Sequence, residues 1–187
     1  MKKLGLIITV GLIVVMSSFR PGGTKVITKT GHIKMFSHTV VEDINANNYK
    51  VTSTLDPVSG AMVFSVPMQG FEFEKAAMQK HFNSAKFLDT KQFPKAKFKG
   101  MVTNMSKIDL TKDGIYSVTV KGDLTMHGVT KSIDEKGTVT VKGGVMTATS
   151  KFKLVLADYK IAFEKGKPSK NIAKEVELTI KMDYKAN

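Results

Sequence analysis

The side chains that most often carry chemistry are sparse in this sequence. Histidine occurs four times, at His32, His38, His81 and His127, and cysteine is absent. The lack of cysteine removes disulfides, thiolate metal sites, thiol nucleophiles and a lipid-modified cysteine anchor. His32 and His38 stand six residues apart, so they share a face if one strand runs through both, and Glu42 or Asp43 could then complete a metal set. Two solvated histidines at a strand edge explain the same spacing without a metal, and that is the reading adopted. His81 falls on the apolar side of a helical pattern, as a hydrogen-bonded core histidine would. His127 precedes Gly128 and reads as a turn residue. No Gly-x-Ser-x-Gly elbow, His-Glu-x-x-His helix or Walker glycine loop is present. No catalytic residue and no metal ligand is therefore assigned, and no cofactor is expected beyond a bound ligand.

Charge points away from nucleic acid. The 187 residues carry 29 basic and 16 acidic side chains, a net +13, but Arg20 is the only arginine. Base and phosphate recognition favours the planar guanidinium fork, which this chain almost lacks. Lys95, Lys97 and Lys99 alternate with Ala96 and Phe98, and Lys165, Lys167 and Lys170 lie in a Gly/Pro-containing stretch. A solvated outer surface explains them. A sharper alternative is transient contact with an anionic membrane surface, at ~1 kcal/mol per nearby basic residue.

The N-terminus has the three parts of a secretory signal. Lys2 and Lys3 form a positive start, residues 4–16 are apolar apart from Gly5, Thr9 and Gly11, and Ser17 and Ser18 suit cleavage. The run is shorter than the ~20 residues that span a bilayer. A signal over residues 1–18 and one domain over 19–187 follow, with a periplasmic or secreted location.

Most of the rest alternates with period two, the mark of strands buried on one face. Strands are predicted over 25–37, 49–55, 61–68, 96–105, 115–126, 131–141, 145–156 and 172–184. Tyr49, Val51 and Leu55 share a face in the second. The inward set is Met62, Phe64, Val66 and Met68 in the third, and Phe98 and Val102 in the fourth. Tyr116, Val118, Val120, Leu124 and Met126 align in the fifth. Met146, Ala148, Phe152, Leu154 and Leu156 align in the seventh, and Val176, Leu178, Ile180 and Met182 in the last. One amphipathic helix is predicted over 71–85, with Ala77, Met78, His81, Phe82 and Ala85 on one side and Glu72 and Glu74 in its first turn. Eight amphipathic strands and one helix fit a sandwich or a closed barrel. An eight-stranded barrel is either filled by side chains or hollow enough for one small ligand. Met62, Met68, Met126, Met146 and Met182 together with small Ala148, Gly100 and Gly122 suit a cavity, and a filled core fits the same residues.

Three segments carry a resemblance. The first is Met78-Gln79-Lys80-His81-Phe82 through Phe87-Leu88-Asp89-Thr90 to Phe93-Pro94 and Ala96-Lys97-Phe98. The second, the most specific, is Val120-Lys121-Gly122-Asp123-Leu124-Thr125-Met126-His127-Gly128-Val129-Thr130-Lys131. The third runs from Phe152 to Asp158-Tyr159, then Val176-Glu177-Leu178. Together they resemble the YceI-like family of exported lipid-binding proteins. Where that family has Arg-x-Asp-Phe/Tyr-Gly, this chain has Leu156-Ala157-Asp158-Tyr159-Lys160, without the arginine or the glycine. The resemblance implies an all-β fold, an eight-stranded antiparallel lipocalin-like barrel with one amphipathic helix, holding a long amphiphilic chain, typically an isoprenoid.

The expected cavity lining is Phe64, Val66, Phe98, Val118, Val120, Leu124, Phe152, Leu154, Val176, Leu178 and Ile180, with Met78 and Phe82 of the helix closing one part. A binding protein for a long-chain lipid is the function expected, without enzymatic activity. The alternatives are a structural or stress-linked envelope protein with a filled core, and a lipid-acting enzyme using His81 or His127 as base. The signal predicts a mature N-terminus near Phe19. N-terminal sequencing of the protein from the cell envelope checks this, and an intact Met1 there contradicts it.

Overall fold

The computed structural model describes residues 25–39, 42–161, 163–164, 167–168 and 172–184. The expected signal, Lys165 and Lys170 lie outside these residues, and the side chain of Lys167 is likewise undescribed. Eight long strands run β1 Val26–His38, β2 Asp43–Leu55, β3 Ala61–Pro67, β4 Lys95–Val102, β5 Gly114–Met126, β6 Val129–Lys142, β7 Val145–Val155 and β8 Glu175–Tyr184. Each pairs antiparallel with its sequence neighbour, and β1 pairs with both β2 and β8. The sheet thus closes into an eight-stranded antiparallel barrel, which removes the exposed edges an open sheet would present. Two short strands, Phe163–Glu164 and Lys167–Pro168, pair with each other apart from the barrel.

The predicted strands all form, with shifted limits. β2 begins at Asp43, six residues before the expected start, because tertiary pairing with β1 holds the polar Asp43–Asn48 stretch extended despite its turn-like composition. β4 ends at Val102, where the chain enters a short 3-10 turn at Met105–Lys107, and β8 starts at Glu175 rather than residue 172. The face expected for Tyr49 is wrong. Ile44, Ala46 and Asn48 point inward, and so do Val51, Ser53 and Leu55, so the phase slips by one residue between Asn48 and Val51. β1 slips at the same level, between Thr28 and Gly31, and the paired register jumps there. This is a β-bulge, which adds a residue and sharpens the bend of the strand. Tyr49 is consequently outside, 54% exposed, and stacks flat on His32 with ring centres 4.5 Å apart.

The helix is also shorter than predicted. α1 covers Ala76–Asn83 only. Glu72 and Phe73 form a short strand against Asn47 and Ala46 of β2, so Glu72 and Glu74 precede the helix rather than occupy its first turn. The reason lies in β3. Pro67 has no N–H for a ladder and ends the strand, a 3-10 turn at Met68–Gly70 follows, and the buried Asn48 amide donates to the Pro67 carbonyl at 2.8 Å. The chain then resumes pairing along the unused half of β2.

Turns follow their local chemistry. The Asp56 carboxylate accepts the N–H groups of Val58 and Ser59 at 2.9 and 3.1 Å, and those bonds hold its carboxyl below the usual range. The β5–β6 hairpin turns on His127 and Gly128, with φ of 50° and 74°, the two-residue connection whose twist matches the strands. A Cβ on Gly128 would lie 2.9 Å from the Phe93 ring. Gly128→Val therefore meets both a left-handed backbone and a clash, and is expected to cost about 1 kcal/mol or more. Thermal denaturation checks this, and an unchanged melting temperature would count against the hairpin geometry.

Candidate functional site: an apolar barrel cavity

The two ends of the barrel differ. At one end the starts of β1, β3, β5 and β7 meet the ends of β2, β4, β6 and β8, and the interior is packed solid. Leu55, Val102, Val141, Met146, Met182 and Tyr184 are all buried there, capped by Met105 and Leu110 from the β4–β5 connection. The Tyr184 hydroxyl shares a 2.6 Å hydrogen bond with Ser53, and burial pushes its pKa up to about 12, the Ser53 bond opposing. This is a floor. The other end carries α1 and the segments around Phe71, Phe73, Phe87, Leu88 and Leu156. Phe82 of α1 lies against Phe71, Phe73 and Phe87, with ring centres 5.5, 4.9 and 6.2 Å away.

Between floor and helix is a cavity of about 400 Å³ with an overwhelmingly hydrocarbon wall, within the ~300–1,000 Å³ range of small-molecule sites. β3 brings Phe64 and Val66 to it, β4 brings Phe98, and β5 brings Val118, Val120 and Leu124. β7 contributes Phe152 and Leu154, β8 contributes Val176, Leu178 and Ile180, and α1 contributes Met78 and Phe82. All of the residues expected to line an interior thus stand on one wall. The period-two phase selects the strand residues, because alternate residues of every barrel strand face inward, and helical spacing selects Met78 and Phe82.

The question of filled or hollow interior has two answers in one molecule. Met62 and Met182 lie at the floor side of the cavity and Met146 is buried beyond it. Gly100 and Gly122 do not leave empty space as expected. They pair across β4 and β5, and a Cβ on either would meet the tip of the Phe98 ring, at 2.5 and 2.8 Å. The glycines are the seat of that ring, which meets Phe64 edge-on at 6.0 Å.

The histidines do not converge. His32 is bonded to Asn47 at 2.9 Å and His38 to Asp43 at 2.6 Å, both on the outer face of β1. Glu42 binds Lys75 instead, at 2.6 Å. Among the described residues no three His, Asp or Glu side chains come close enough to share a metal. His81 is not the core histidine expected. It is exposed on α1 at the rim of the cavity, edge-on to Phe87 at 5.1 Å. His127 is the expected turn residue, with Nδ1 3.1 Å from the Tyr159 carbonyl oxygen.

Several wall residues escaped the sequence reading. Ile33 and Met35 of β1 carry the same alternation as their neighbours and were legible. Ile44 lies in the polar start of β2, and Phe71, Phe73 and Phe87 depend on the shortened helix, so no local signal marks them. Glu135 also reaches the cavity. It follows Ile133 in the inward phase of β6, where a carboxyl is unexpected, and burial with Asp134 beside it raises its pKa above the ordinary range.

The sequence matches the YceI-like domain across residues 18–184. The chain belongs to the YceI-like family. Curated relatives include UPF0312 proteins of Pseudomonas putida GB-1, 41% identical over 68 residues, and of Pseudomonas fluorescens Pf-5, 40% identical over 68 residues. Each alignment takes in 36% of this chain, and the match spans about a third of each relative's length, 32% and 33%. Among solved structures, a polyisoprenoid-binding domain of Saccharophagus degradans implicated in plant cell wall breakdown superposes with a TM-score of 0.72 at 13% identity, covering 87% of this chain and 98% of that one. BcnA of Burkholderia cenocepacia gives 0.68 at 15%, covering 82% and 95%. At such identities the likeness is one of fold.

One family position bears on the mouth. Lys160 stands where the YceI-like stretch has glycine, and it adopts φ 54° to close the 3-10 turn Leu156–Tyr159. That left-handed backbone is one that glycine adopts cheaply and a lysine does not. The Phe98 seat makes a prediction within the cavity. Gly122→Ala forces a methyl against the ring and the facing strand, and is expected to cost about 1–3 kcal/mol. Denaturant unfolding measures this, and wild-type stability in Gly122→Ala would show that the ring rests elsewhere.

Proposed function

We propose that this barrel is a binding protein for a long-chain amphiphilic lipid, an isoprenoid by the best reading, and that it carries or sequesters its ligand without transforming it. The supporting observation is the apolar cavity of about 400 Å³ above a packed floor. Burying each methylene contributes ~0.8 kcal/mol, so about ten carbons supply enough to outweigh the association cost. The solved structure described as a polyisoprenoid-binding domain shares the fold, which favours the same class of ligand here. Among the described wall residues the Ser150 hydroxyl is bonded to the Lys136 main-chain carbonyl and not to a base. His81, the histidine at the rim, has an aromatic neighbour in Phe87, and His127 is engaged by a main-chain carbonyl.

Export through a cleaved signal to the periplasm or beyond completes the reading, and fits a protein that holds envelope lipid. Lys95, Lys97 and Lys99 are exposed on β4, a strip suited to transient contact with an anionic membrane surface while lipid is exchanged.

The test compares wild type with Val120→Trp and Leu178→Trp, each purified from its own envelope. Native mass spectrometry reads the bound lipid and thermal melting reads stability. The chain has no tryptophan, so the new indole also reports on the cavity by fluorescence. The expected outcome is lipid in wild type, and a strong loss of lipid at modest stability cost in the variants. Lipid-free wild type, with variants destabilised by the ~1–3 kcal/mol of an overpacked core, would leave the filled-core structural role instead.

A further inference from the structure

The cavity wall contains two acidic residues among the described ones, and they are not equivalent. Glu42 lies at the mouth and is paired with Lys75. Glu135 lies within the barrel, opposite Val120 of β5, and among the described residues forms no ion pair. The neighbouring Asp134 points outward and takes Lys121 at 2.7 Å. Gly137, the next inward residue of β6, also borders the cavity, and a Cβ there would lie 2.5 Å from the Thr149 carbonyl oxygen of β7, so the two strands approach closely just beside the carboxyl. The adjoining seam is unusual too. Ladder pairing of β6 with β7 covers 137–142 against 145–150 and stops at the Gly137–Ser150 pair. Just past it the Ser150 hydroxyl donates to the Lys136 carbonyl at 2.7 Å, and both Glu135 and Ser150 touch the cavity. A polar spot therefore interrupts a hydrocarbon wall where two strands part.

We infer that Glu135, beside Ser150 at the β6–β7 seam, anchors the polar head of the ligand, and that this head donates a hydrogen bond and carries no negative charge, as in a long-chain alcohol. The inference rests on the lipid-binding reading and specifies its ligand. An ionised carboxyl only accepts, so it needs a donor, and a protonated one can both donate and accept. A hydroxyl satisfies either form. A phosphate or diphosphate head satisfies neither well, because an anion beside an ionised Glu135 is repelled, and one beside the protonated form still leaves most of its charge unsolvated in an apolar cavity. The hydrocarbon tail then takes the rest of the wall, where it costs nothing to desolvate.

Three probes of one chain length test this: geranylgeraniol, geranylgeranyl diphosphate and the corresponding headless hydrocarbon. Affinities are measured by calorimetry or competition for wild type, Glu135→Gln and Glu135→Leu, with melting curves confirming that each variant is folded. Wild type is expected to prefer the alcohol to the diphosphate by about tenfold or more. Glu135→Gln keeps the alcohol within a few-fold and narrows the gap to the diphosphate. Glu135→Leu loses the preference of alcohol over hydrocarbon. Equal or tighter binding of the diphosphate by wild type, or ratios unchanged in both variants, overturns the anchor while leaving a lipid-binding barrel. Failure of all three probes to bind wild type overturns the barrel reading as well.

Discussion

Everything in this fold depends on β1 pairing with two strands at once. It holds β2 along one edge and β8 along the other, and without that double pairing the meander would be an open sheet with two unsatisfied edges. A strand that must close a small barrel has to bend sharply, and β1 bends at Gly31. There the register slips, and a side chain at this position would collide with Met182 of β8. The slip in β1 is matched by the slip in β2, and the buried Asn48 marks the place. Its amide is held by the Pro67 carbonyl and its own oxygen accepts the Lys50 N–H at 2.9 Å. A polar side chain that is fully buried is tolerated because both its donor and its acceptor are engaged. Closure, the bulge and the early end of β3 are thus one constraint expressed in three strands.

That constraint divides the interior. On one side of the bulge, methionines and branched residues from alternate strands fill the space, with the buried Tyr184–Ser53 bond as the polar exception. On the other side β3 has ended at Pro67, and the chain covers the opening with a 3-10 turn, a two-residue strand and an eight-residue helix. These short pieces bring aromatic rings rather than a continuous sheet to the end of the barrel. A packed floor supplies the stability of a core, and the hollow half is left with apolar surface facing a cavity. The division explains how one domain can have both a packed core and an open apolar cavity.

The strands and their inward faces were legible because period-two alternation is a local signal and the barrel honours it almost everywhere. Phe64, Phe98, Val120, Phe152 and Leu178 take their inward faces from that signal, and the family resemblance adds the hollow barrel that makes those faces one wall. It failed where a long-range pairing overrode it. Tyr49 keeps the parity of Val51 in the sequence but lies beyond the bulge, and nothing in residues 43–55 announces the bulge. The polar run from Asp43 to Asn48 looks like a loop until β1 pairs with it. Phe71 and Phe73 fit a helical pattern as well as a strand, and the competition was decided by the free edge of β2, which is a tertiary fact. Glu135 was hidden differently. Its phase was readable, yet an inward carboxyl contradicts the binary pattern, and such contradictions concentrate where a protein does something other than fold.

The outer surface supports the same division of labour among the seams. Lys121–Asp134 ties β5 to β6, while Lys151–Glu177 and Lys153–Glu175 tie β7 to β8. Among the described residues no ion pair crosses from β6 to β7. That seam instead has the Thr138–Thr149 hydroxyl contact at 2.7 Å and the bond from Ser150 to the Lys136 carbonyl, both at the point where the ladder stops. Exposed ion pairs are individually weak, but their placement follows the ladders and adds nothing where the ladder is missing. The β2–β3 ladder is shorter still, Thr52–Leu55 against Met62–Ser65, so the β6–β7 seam is not singular in its weak pairing; what sets it apart is the polar side chains that line it on the cavity side. It is also the part that brings the half-buried Glu135 carboxyl to the cavity. Under the lipid-binding reading, a chain held between the packed floor and α1 meets at this seam a polar spot for its head, inside the barrel, while its tail lies on hydrocarbon.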